Sequence, residues 1–102
     1  MKEFRDLTIG KTSLRIYEDG TIERYKDQWR EIKNTPNHKK GYNVIMIENK
    51  QYMRSRLVCY AFNELDLSSK SVIHYLDDNK LNCHIENLSV ETPMTLKTYY
   101  KK

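Results

Sequence analysis

A chain of 102 residues is long enough for one domain with a modest core and does not require disulfide or metal staples to fold. Lys and Arg outnumber Asp and Glu by 18 to 14, a formal net charge of +4 that favours polyanionic partners only mildly, because a solvated surface explains such an excess equally well. No stretch approaches the roughly 18 apolar residues of a membrane span. Met1-Lys2-Glu3-Phe4-Arg5-Asp6 also lacks a signal peptide's apolar region, so a cytoplasmic protein without a membrane partner is expected.

The first half reads as β-hairpins. Residues 14–24, L-R-I-Y-E-D-G-T-I-E-R, alternate apolar and polar on either side of Asp19-Gly20, a pair that accepts the positive φ of a tight turn. Residues 29–32 form a further short strand, in which Trp29 serves core or sheet packing before base stacking. Residues 34–41, N-T-P-N-H-K-K-G, are the longest loop signal of this half. They place His38, Lys39 and Lys40 at a tip, either as a solvated loop or as a phosphate contact. Residues 42–47 and 51–54 flank Glu48-Asn49-Lys50 as a second hairpin, and two hairpins in succession predict an antiparallel sheet with one wet face.

Ser55 reads as an N-cap, and Leu57, Val58, Ala61 and Phe62 lay one apolar stripe along a short helix that should pack on the sheet. Arg54 and Arg56 flank its start, equally suited to a phosphate backbone and to surface ion pairs. Residues 63–70 are a polar connection. Cys59 on the helix and Cys83 in a later polar loop have unlike contexts, which fits a reduced chain; adjacent Cys83-His84 with His74 makes a poor zinc set.

Most of the information lies in residues 72–90, V-I-H-Y-L-D-D-N-K-L-N-C-H-I-E-N-L-S-V. Val72, Ile73 and Tyr75 favour a strand, Asp77-Asp78-Asn79-Lys80 a turn, and Leu88 and Val90 a second strand. Thr92-Pro93 then looks like the start of a helix over 92–102, with Leu96 and Tyr100 one turn apart on it. Asn79, Asn82 and Asn87 are suited to tying a long loop together through backbone bonds.

His74, Asp78-Asn79, Lys80-Leu81-Asn82 and Glu86-Asn87-Leu88 together resemble the motif of the HNH nucleases, in particular the small phage and intron-encoded homing endonucleases of mobile elements. Arg56-Leu57-Val58 with Ala61-Phe62, and Gly41-Tyr42, resemble segments that precede the motif in those proteins, so the similarity covers roughly residues 29–90. The resemblance implies an α+β fold: antiparallel hairpins over 1–54, a helix and connection over 55–70, and a ββα-metal unit over 71–102. It also implies double-stranded DNA as partner, His74 as general base on an attacking water, Asn87 as the residue that holds loop and histidine, and Mg²⁺ or Mn²⁺ beside the leaving oxygen.

Two positions depart from the motif. Ile73 and Leu96 stand where the family places metal ligands, and neither offers a hard cation an oxygen. A degenerate centre is therefore expected, with Lys39, Lys40, Arg54 and Arg56 on DNA phosphates. An active nicking enzyme would need Asp77, Asp78 or Glu91, or else His84, as a replacement ligand. A third reading is a protein-binding module that reuses the scaffold against a host protein.

Overall fold

The computed structural model of the chain describes residues 3–63 and 72–91. Four antiparallel strands come first: β1 (Phe4–Ile9), β2 (Thr12–Tyr17), β3 (Ile22–Lys26) and β4 (Gln28–Glu31), paired in that order. Alternation in β2 and β3 sends Leu14, Ile16 and Ile22 inward, where each is fully buried, and the register sets Leu7 opposite Leu14 and Ile16 opposite Ile22. The expected Asp19-Gly20 turn is present, with Gly20 at φ +93°. Asp19 Oδ1 accepts from the Thr21 N–H at 2.9 Å, the local bond by which aspartate closes such turns.

β1 was not expected from the sequence, because only Leu7 along it is buried and no alternation marks it. Trp29 takes the packing role: it stands on the outer face of the sheet, 5.3 Å from the Tyr25 ring, with the Arg15 guanidinium 4.1 Å above it.

The second hairpin, β5 (Val44–Ile47) and β6 (Lys50–Met53), pairs only with itself and does not extend the first sheet. Glu48 and Asn49 turn it at φ of 49° and 69°. Ile45 and Ile47 face the same core as β2 and β3, and helix α1 (Arg54–Asn63) packs Leu57, Val58 and Cys59, each with no exposed surface, into it. The first sheet, the second hairpin and α1 thus enclose one core, in place of one continuous sheet with a wet face. Both cysteines are buried and unpaired, and burial pushes each thiol up to about 11.

A last antiparallel pair, β7 (Val72–Tyr75) and β8 (Leu88–Glu91), brackets the polar loop and a 3₁₀ turn at Ile85–Asn87. The chain is thus a small α+β protein of antiparallel strands and one short helix among the described residues. The helix expected over 92–102, Leu96 within it, and most of the 63–70 connection lie outside those residues.

Arg54 requires a correction. It is 1 % exposed and faces inward, away from any phosphate. Its Nε donates to Asn43 Oδ1 at 2.8 Å, Nη1 to Gly20 O at 2.7 Å and Nη2 to Ile32 O at 2.5 Å. Asn43, itself 3 % exposed, donates in turn to Thr35 O at 2.7 Å and receives the Arg54 backbone N–H at its own carbonyl at 3.0 Å. Helix start, β2–β3 turn, end of β4 and start of β5 therefore meet on one guanidinium. Burial pulls the Arg54 pKa down, but its ordinary value is so high that it remains a cation. The helix begins at Arg54 itself, so Ser55 lies inside it and accepts the Tyr75 hydroxyl at 2.6 Å instead of capping.

Removing the guanidinium would strand two buried acceptors and a third that is part-buried. Arg54→Ala is expected to cost about 3–5 kcal/mol in urea unfolding, with Arg54→Lys recovering less than half, since one ammonium cannot reach three divergent oxygens. A loss below about 1 kcal/mol would show that the contact is incidental.

Candidate functional site

β7 and β8 hold the polar loop at both ends. Leu76 N–H donates to Asn87 O at 2.8 Å, and inside that gate three side chains close on one another. Asn87 Oδ1 accepts from Asp77 N–H at 3.0 Å, while its Nδ2 donates to Asp77 Oδ1 and to Asn82 O, each at 2.9 Å. Asn82 Nδ2 donates to Asp77 Oδ2 at 2.7 Å, and Asn79 N–H reaches Asp77 Oδ1 at 2.8 Å. Asn79 Oδ1 then receives Leu81 N–H at 3.0 Å.

These bonds favour the ionised carboxylate. Asp77 is held below the usual carboxylate range, first by the Asn82 amide, then by the Asn79 backbone N–H, against a smaller opposing contribution from desolvation. Asp78, at φ +61°, is exposed and forms the turn. Asn79, Asn82 and Asn87 each donate to Asp77, their common acceptor.

His74 is exposed on β7 opposite Ser89. Asn87 lies two residues before that cross-strand partner, so the two motif residues share one end of the β7–β8 pair. Ile73 points the other way, half-buried against the core and paired with Val90. His84 caps the 3₁₀ turn, its Nδ1 accepting from Glu86 N–H at 3.2 Å. Glu91 ends β8.

The charged tip of the 34–41 loop is latched onto this loop, which sequence reading missed. Lys80 Nζ donates to Lys40 O at 2.8 Å and stands 4.9 Å from the Tyr42 ring, while Asn34 Nδ2 donates to Leu81 O at 2.5 Å. His38 meets the Tyr42 ring edge to face and Tyr42 meets Tyr75 at a tilt, with ring centroids 5.8 Å apart in each pair. Lys39, Lys40 and Lys80, all exposed, thus gather beside the motif. Arg56 is half-buried on α1. The only available signal was composition: two Asn- and Lys-rich loops each carry donors suited to the other's carbonyls.

The donor set does not suit a hard divalent cation. Ile73 packs against the core, both Asp77 oxygens already accept N–H bonds, and no cluster of three or more His, Cys, Asp or Glu able to hold a metal occurs among the described residues. No protein-family model, curated protein or solved structure matches the chain.

Because Asp77 is depressed, its contribution to loop closure is present above the unfolded value near 3.9 and lost only as pH falls through the lower folded value. Carbon-detected NMR titration should place its midpoint below about 3.9. Asn82→Ala should raise that midpoint more than Asn87→Ala, and an unshifted midpoint in Asn82→Ala would remove Asn82 as the main cause.

Proposed function

We propose that this is a DNA-binding protein on an HNH homing-endonuclease-like scaffold whose nuclease centre is weakened or dead. The observation that carries the reading is the Asp77–Asn82–Asn87 clamp with the Lys39-Lys40 tip latched beside it. The residues of the resemblance remain organised as a loop, and cations stand next to them. Asp77, which a working centre would have available for a metal, is instead the acceptor that closes the loop. Ile73 contributes its side chain to the core.

On this reading Lys39, Lys40 and Lys80 contact phosphates by charge, and His74 is a strand residue inherited from a catalytic scaffold. Binding of this kind releases condensed counterions and so weakens steeply with salt. Lys39→Gln with Lys40→Gln should reduce the slope of log K against log[NaCl] by about 2.

A plasmid assay separates the three readings. Supercoiled DNA in Mg²⁺ or Mn²⁺ should stay intact at protein concentrations that shift a labelled duplex. Nicking abolished by both EDTA and His74→Ala would instead establish an active enzyme with a replacement ligand. Absence of both nicking and duplex binding would favour the protein-binding module.

A further inference from the structure

The end of the sheet farthest from the Asp19-Gly20 turn carries a second set of cations. An open depression of about 280 Å³ lies there between β3 and the β5–β6 tip, lined among others by Lys11, Arg24, Tyr25, Lys26, Met46 and Glu48. Register sets Arg24 directly opposite Arg30 on the neighbouring strand, on the face that also carries Leu14 and Ile22. Like charges placed so oppose sheet formation. Arg24 Nη2 reaches Met46 O at 2.7 Å, yet its Nε is buried with no acceptor among the described residues.

Two carboxylates lie at this end beside four cations and offset them only in part. Glu48 is turned to the β1–β2 turn, where its Oε2 accepts from Lys11 N–H at 2.5 Å and from Thr12 Oγ1 at 3.4 Å. Asp27, exposed in the β3–β4 turn, is the other carboxylate at this end. Among the described residues none of Lys11, Arg24, Lys26 or Arg30 has an ion-pair partner. The outer face of the same sheet is different, since Asp6 and Glu23 flank Arg15 there and Glu31 pairs with Glu23.

We propose that this lip, formed by Lys11, Arg24, Lys26 and Arg30, binds the phosphodiester backbone of double-stranded DNA as a second contact, separate from the Lys39-Lys40 tip. The proposal deepens the DNA-binding reading and rests on it. Arg24 and Lys26, two residues apart on one strand, are about 7 Å apart, so positive charge repeats along a line as it does on a phosphate backbone. A backbone phosphate between Arg24 and Arg30 removes the repulsion that the free protein carries. The lip and the motif loop sit at opposite ends of the β2–β3 hairpin, about 20 Å apart, so one duplex touching both is held at two places.

The test is a triple variant, Lys11→Gln, Lys26→Gln and Arg30→Gln, which leaves the packed Arg24 in place. Anisotropy with a labelled duplex of about 20 base pairs should show affinity reduced at least tenfold near 0.1 M NaCl, with the salt slope shallower by about 2 to 3. Unchanged duplex affinity in this variant, with Lys39→Gln/Lys40→Gln weakened, would overturn the lip and leave the functional reading standing. A wild-type chain that fails to bind duplex at all overturns both. Polyglutamate of matched charge competing as well as duplex would also refute DNA as the occupant. As a control on folding, Arg30→Gln alone should raise Tm at low salt while weakening DNA binding; a fall in both would assign Arg30 a structural role only.

Discussion

The fold depends on a single buried cation. Arg54 opens α1, where a positive charge is unfavourable against the helix dipole and where the first turn has no acidic residue. Its position is therefore set by tertiary demand and not by helix preference. Three elements end in carbonyl or amide oxygens that have no partner within their own hairpins, Gly20 O, Ile32 O and Asn43 Oδ1, and the planar guanidinium satisfies all three at once. Lysine would offer one flexible point charge where a fixed fork is needed. Because the same contact draws Gly20 inward, it also brings the β2–β3 turn against the motif loop: a Cβ on Gly20 would lie 2.9 Å from the Cys83 carbonyl carbon, and Ile85 N–H donates to Glu18 O at 2.8 Å. The polar loop is thus seated on a hairpin that Arg54 holds in place.

The loop itself is kept by asparagines and one carboxylate, a different solution from a metal centre. A ligand carboxylate must keep lone pairs directed at the ion, whereas Asp77 directs both oxygens at amide donors within ten residues of itself. Such a network needs neither a metal nor a catalytic function to persist. Beside it, the Ile73 side chain packs against the core.

Charge is distributed by side and end, not by sum. The modest excess of +4 conceals a sheet whose outer face carries Asp6, Glu23 and Glu31 around Arg15, and whose inner lip carries Lys11, Arg24, Lys26 and Arg30. A further set, Lys39, Lys40 and Lys80, comes from two loops joined by side chain to carbonyl bonds. A weak global charge can therefore coexist with two local positive surfaces.

Local chemistry was legible in the sequence. Period-two alternation around Asp19-Gly20, the apolar stripe of α1, the β7–β8 strands and the loop-tying role of Asn79, Asn82 and Asn87 all follow from residue type and short spacing, because those forces act within a turn or a strand. Arg54 was misread because an arginine's direction depends on which distant carbonyls lack partners, a property no local window contains. For the same reason β1, the division into separate sheets, the latch of Lys80 onto the 34–41 loop and the Arg24–Arg30 opposition were visible only in three dimensions. The sequence by itself determined most of the strands, the turns and helix α1; tertiary packing decided which charges are buried as braces and which are left facing outward, since burial is settled by the sum of remote contacts.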